Sequence, residues 1–189
     1  MNPRQTPSQT IGPFFRIALV EAAGANLVRA GTRGDRITID GRIIDGDGAP
    51  VTDAMIEIWQ ANVDGKYDHP EDDQEKLVDP AFHGYGRTCT DGDGTFRFET
   101  IKPGPVSGGD GKLQAPHINV SIFARGLLKR LVTRIYFPDE PLNASDALLN
   151  SAPSQRRSTM IATWADTAHR TIRFDIILQG NGETVFLDI

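Results

Sequence analysis

Between Gln114 and Gly126 the chain reads QAPHINVSIFARG, and three side chains there could do chemistry: the His117 imidazole, the Asn119 amide and the Arg125 guanidinium. Read with a period of two, the stretch is a strand. Ile118, Val120, Ile122 and Ala124 then form one apolar face, and His117, Asn119, Ser121, Phe123 and Arg125 form the other. At roughly 3.3 Å per residue, Arg125 lies about 26 Å along the chain from His117, too far to serve a site centred there. A half-buried antiparallel strand also shows water a mixed polar face, so the pattern alone does not establish a site. Further donors sit upstream, where the long Asp-, Gly- and Pro-rich connection 60–87 carries Tyr67, His69, His83 and Tyr85. A loop of that length inside a compact domain is uncommon unless it has a function.

Two DGDG stretches, 45–48 and 91–94, invite a calcium test, because aspartates two apart open an EF-hand loop. The twelfth position of such a loop must supply a bidentate Glu. Here it is Ile56 or Lys102, and neither can serve. The stretches read instead as hairpin turns between alternating runs.

Those runs position everything else. Ile37, Ile39 and Ile43 alternate with polar residues; so do Ala54, Ile56 and Ile58, and after the second turn Phe96 and Phe98. Leu131 to Phe137 reads as a strand, and 142–160 holds the helix candidates, with Asn143 or Ser145 as N-cap. Two closing strands, 171–179 and 184–189, flank a GNG turn. Strands at short intervals with little helix predict an all-β sandwich: one domain over 1–189, with long loops, short helices and an extended N-terminal arm over 1–16.

The arm rests on residues 3–14, PRQTPSQTIGPF, whose three prolines hold the backbone extended. It has no apolar h-region of a signal peptide, and no apolar run approaches the roughly 20 residues that span a bilayer. With 20 Lys and Arg against 25 Asp and Glu, the formal charge of −5 gives no global attraction to nucleic acid or an anionic membrane. The single cysteine, Cys89, excludes an intrachain disulfide and suits a reducing, cytoplasmic setting. A hydrophobic share of 39% argues for a folded domain rather than a disordered chain.

Four stretches in this order resemble the intradiol ring-cleavage dioxygenases, and among them the alpha-chain type: TPSQTIGPF at 6–14, EIWQANVDGKY at 57–67, TIKPG at 100–104 with APHINVSIFARG at 115–126, and FDIILQGNGETVFLDI at 174–189. The resemblance runs from about residue 6 to the end. It implies a β-sandwich subunit of a large symmetric hetero-oligomer, whose beta subunit holds Fe(III) with two tyrosinates and two histidines. Such an enzyme cleaves 3,4-dihydroxybenzoate (protocatechuate) with O2 to 3-carboxy-cis,cis-muconate. Phenolate oxygen is a hard donor suited to Fe(III), and imidazole suits iron generally.

Carried over position by position, the ligand pattern falls on Tyr67, Val106, His117 and Asn119. Valine cannot ligate, and an amide is a poor replacement for imidazole on Fe(III). The family's arginine before the histidine motif is missing as well, since Gln114 and Ala115 stand there. The resemblance therefore implies a vestigial pocket without iron, no catalytic residue on this chain, and a role beside the beta subunit's metal. Its substrate-facing residues would be Thr10, Gly12, Pro13 and Phe14 of the arm, with Arg125; the family usually has tyrosine where Phe14 stands. Two other readings stay open. One is a β-sandwich binding or scaffolding module without enzymatic role. The other is a self-sufficient metalloenzyme using Tyr67, His117 and either His69 or His83.

Overall fold

Alternation of apolar and polar residues is what the chain folds by. The computed structural model describes residues 7–12, 14, 18–20, 24–108, 111–168 and 170–188. Strand β1 (Arg36–Ile44) buries every second residue, among them Ile37, Ile39 and Ile43. It pairs antiparallel with β4 (Thr95–Ile101) and parallel with β10 (Thr171–Arg173) and β11 (Ile176–Ile177), while β9 (Thr163–Asp166) flanks β10. The second sheet runs β3 (Tyr85–Cys89), β2 (Met55–Gln60), β7 (His117–Phe123) and β8 (Leu131–Tyr136), all antiparallel. A two-stranded ribbon, β5 (Val106–Ser107) with β6 (Leu113–Gln114), lies outside both sheets.

The core lies between the sheets. Ile39, Phe98 and Ile172 of the first meet Ile56, Ile118 and Ile122 of the second, and all six are fully buried. The all-β expectation holds. Among the described residues, no helix is long and apolar enough to cross a membrane.

The hairpin expectation holds only locally and only at the first DGDG turn, where Ile44 bridges Pro50 antiparallel and the Val51 N–H meets Ile43 O; the long strands that flank each turn do not pair. β1 and β2 lie in different sheets, as do β3 and β4, so both turns carry the chain across the sandwich. The turn chemistry itself is as expected. Asp45 Oδ1 accepts from the Asp47 and Ala49 N–H groups, and Asp91 Oδ1 repeats this with Asp93 and Thr95. An Asx-capped turn reverses the chain but says nothing about which strands then pair.

Two further expectations are corrected. The cap of the helix α1 (Ala147–Ser151) is Asp146, not Asn143 or Ser145, and short 3-10 segments at Pro141–Ala144 and Ser154–Met160 make up the rest of 142–160. At the C-terminus, β10 and β11 are short pieces on β1, and 184–188 forms no strand; the Thr184 N–H meets Ile177 O, and the Leu187 N–H turns to Val132 O on β8.

Asp146 ties these segments to the second sheet. Fully buried, it accepts from the Leu149 N–H at 2.8 Å, the Ala115 N–H at 2.8 Å and the Tyr136 hydroxyl at 3.0 Å. Asp146→Ala leaves three buried donors without their acceptor and should lower the unfolding free energy by at least about 3 kcal/mol. Urea unfolding measures this; a loss below about 1 kcal/mol would show that these bonds do not hold the segment.

Candidate functional site

β7 lies between β2 and β8, so its register is fixed on both sides. Trp59 stands opposite Asn119 on β2, and Arg134 and Tyr136 of β8 stand opposite Asn119 and His117. Cross-strand partners project to the same face. His117, Asn119, Arg134 and Tyr136 therefore share the face away from the sandwich core.

Two loops cover that face. In the first, Asn62 Oδ1 accepts from the Asp64 and Lys66 N–H groups, while Asn62 Nδ2 donates to Leu77 O. Lys66 is buried and donates to Asp72 Oδ1 at 3.1 Å and Gln74 O at 2.9 Å. Burial opposes ionisation of Asp72, but the Tyr67 and Gln74 N–H groups and the Lys66 ammonium outweigh it and hold its pKa at about 2. Gly65 and Gly104 let the second loop lie on the first: a Cβ on Gly65 would reach Pro105 O at 2.0 Å, and one on Gly104 would reach Val63 O at 2.3 Å. This close approach brings Val106 and Tyr67 to one cavity of about 510 Å3, also lined by Trp59, His117 and Arg134.

All four ligand positions are thus gathered, and their donor atoms are engaged with neighbours. The Ala115 carbonyl accepts from His117 Nδ1 at 2.7 Å, which leaves Nε2 as an acceptor for the Tyr67 hydroxyl at 3.4 Å. Asn119 Nδ2 donates to Tyr67 Oη at 3.3 Å and to Trp59 O at 3.2 Å. Asn119 Oδ1 accepts from Arg134 Nε at 2.9 Å. Burial and the Arg134 charge push the His117 pKa down to about 4, and burial raises that of Tyr67. Imidazole and phenol are both neutral at neutral pH. Val106 is buried and offers no donor.

Sequence reasoning missed Arg134. Its Nη1 donates to Gln114 Oε1 at 2.8 Å and to Tyr136 Oη at 3.5 Å, so Gln114 is tied to a guanidinium from the neighbouring strand. Period-two reading of LVTRIY puts Arg134 and Tyr136 on one face, but only strand pairing sets them against Asn119 and His117.

The other candidates form a second group. Arg125 lies beyond the end of β7 and does not line the cavity. Thr10 of the arm accepts from the Gly126 N–H at 2.8 Å and donates to Ala124 O at 3.5 Å, bonding to the backbone on either side of Arg125. The Arg125 side chain is 70% exposed and pairs through Nε with Asp53. Gly12 is exposed, with no atom of a described residue within 4 Å of where its Cβ would be, and Phe14 is 77% exposed. Pro13 lies outside the described residues. Of the other two candidate histidines, His69 packs edge-on against Trp59 in the cavity, whereas His83 lies elsewhere, paired with Asp68. Among the described residues, no three His, Cys, Asp or Glu side chains gather as a metal cluster.

A family model for dioxygenases matches residues 12–180. This chain belongs to the intradiol dioxygenase family. It is 41% identical to the protocatechuate 3,4-dioxygenase alpha chain of Pseudomonas putida, over 97% of this chain and 96% of that one. It is also 39% identical to the beta chain of the Burkholderia cepacia enzyme, over 80% of this chain and 67% of the relative. The dioxygenase domain of a carbohydrate-binding fusion protein from Streptomyces sp. SirexAA-E has the same fold, with a TM-score of 0.63 and 26% identity, covering 97% and 98% of the two chains.

The intradiol family implies iron, and the residues gathered here do not fit it. Position 106 has no donor atom, and the Asn119 carbonyl is held by a guanidinium. That guanidinium also places a positive charge where a cation would have to approach. The double variant Val106→Tyr with Asn119→His restores donor types and leaves Arg134 in place. It should acquire no stoichiometric ferric ion and no visible tyrosinate band when the purified chain is titrated with Fe(III). A tight one-to-one coloured complex would contradict this.

Proposed function

We propose that this chain is the alpha subunit of a protocatechuate 3,4-dioxygenase, holding no iron itself and helping to shape the substrate pocket of a beta subunit that does. One contrast carries the reading. At the family's ligand positions Tyr67, His117 and Asn119 are hydrogen-bonded to their neighbours and Val106 offers no donor, whereas Thr10, Gly12, Phe14 and Arg125 are exposed with the arm pinned beside the arginine. Similarity to an alpha chain over nearly its whole length supports the same choice.

In this reading the partner's ferric ion supplies the chemistry that opens the ring, and this chain binds and orients. Thr10 fixes the Ala124–Gly126 backbone, and with it the root of the Arg125 side chain. Asp53 engages Arg125 through Nε, which leaves both terminal nitrogens to address an acceptor. Protocatechuate carries a carboxylate opposite its two hydroxyls. A guanidinium offers that carboxylate paired donors and a charge that persists at any working pH. Pro13 and Phe14 would form an apolar wall beside it.

The test is co-expression with the beta chain, followed by oxygen uptake with protocatechuate and with catechol. Arg125→Ala should reduce kcat/KM for protocatechuate by roughly 10- to 100-fold, mainly through KM, while catechol turnover changes little. Equal losses on both substrates by an assembled complex would show that Arg125 does not read the carboxylate. A complex that contains both chains and takes up no oxygen would favour a scaffolding role instead.

A further inference from the structure

The cavity beside Tyr67 has a property that the loss of metal ligands does not explain. Arg134 is half-buried there, and every acceptor it uses is neutral: the amides of Asn119 and Gln114 and the hydroxyl of Tyr136. It forms no ion pair with a described residue, and the buried Asp146 carboxylate is reached only through the Tyr136 hydroxyl. Nη2 meets no protein acceptor among the described residues, and Arg134 lines the cavity. A partly desolvated cation with an unused donor edge is an anion site in want of an anion.

The walls narrow the class of anion. The Trp59 and Tyr67 rings are stacked at 5.7 Å, and Val106 adds an apolar surface. A volume of about 510 Å3 suits a small organic molecule. At the rim the exposed carboxylates of Glu71 and Asp73 disfavour anything carrying more than one negative charge, while Asp72 is neutralised by Lys66. We infer that this cavity binds a small planar monocarboxylate, its carboxylate on the open edge of Arg134 and its ring against Trp59, Tyr67 and Val106. The site needs neither metal nor partner, and so stands independently of the alpha-subunit reading.

Benzoate is the probe, added to the full-length chain while the Trp59 indole and Val106 methyl signals are followed by NMR. Saturable shifts with a Kd on the order of 1 mM are expected for a ligand of this size. Benzamide, the uncharged isostere, and inorganic phosphate should each bind at least about tenfold more weakly, as should benzoate to Arg134→Gln. Ser107→Trp, a change at an exposed position on the cavity wall, keeps Arg134 and should block benzoate by bulk. The inference is overturned if benzoate gives no saturable shift, if benzamide or phosphate binds as tightly, or if folded Ser107→Trp binds benzoate undiminished.

Discussion

The pairing of β7 on both edges is the constraint from which the rest of this structure follows. Hydrogen bonds to β2 and β8 fix its register, and a slip of one residue would exchange its two faces. In the observed register, Ile118, Val120 and Ile122 close the sandwich core, while His117 and Asn119 face the covering loops. The same pairing sets Arg134 beside Asn119. Core and site are two faces of one strand, so neither could shift without the other.

The site face is organised by hydrogen bonds among neutral groups around one guanidinium. A protonated phenol, a neutral imidazole and a carboxamide form a chain of neutral groups. One guanidinium organises that chain from the next strand. Ferric binding would require the phenol to ionise and the amide oxygen to leave the guanidinium, and Val106 would still contribute nothing. Meanwhile the strand's far end does different work. There the chain pins its own arm beside Arg125.

Much of this was legible in the sequence, and what was not has a physical reason. β1, β2, β4, β7 and β8 could be read because alternation is a local property. That the DGDG turns join no paired long strands, beyond the short bridge of Ile44 to Pro50, was hidden because an Asx-capped reversal looks the same whether its strands pair or cross to opposite sheets. Asp146 went unnoticed as a cap because its other acceptor duties, to Ala115 and Tyr136, are long-range. The 184–188 stretch has strand-like composition, yet makes isolated contacts to β8 and β11 instead of a ladder. Of the site, the motif positions of Tyr67, Val106, His117 and Asn119 were visible, but Arg134 was not, because strand register cannot be read from either strand alone. The Thr10 link to the backbone around Arg125 spans 116 residues and was equally hidden.

The central claim is that the metal-ligand positions of this chain are closed by its own hydrogen bonds, and that the iron chemistry belongs to a partner. The most direct measurement is the iron content and visible absorption of this chain purified alone, set beside those of its complex with the beta chain. The account predicts a colourless chain without stoichiometric iron and a coloured complex whose iron follows the beta chain. A coloured chain holding one ferric ion by itself would contradict it.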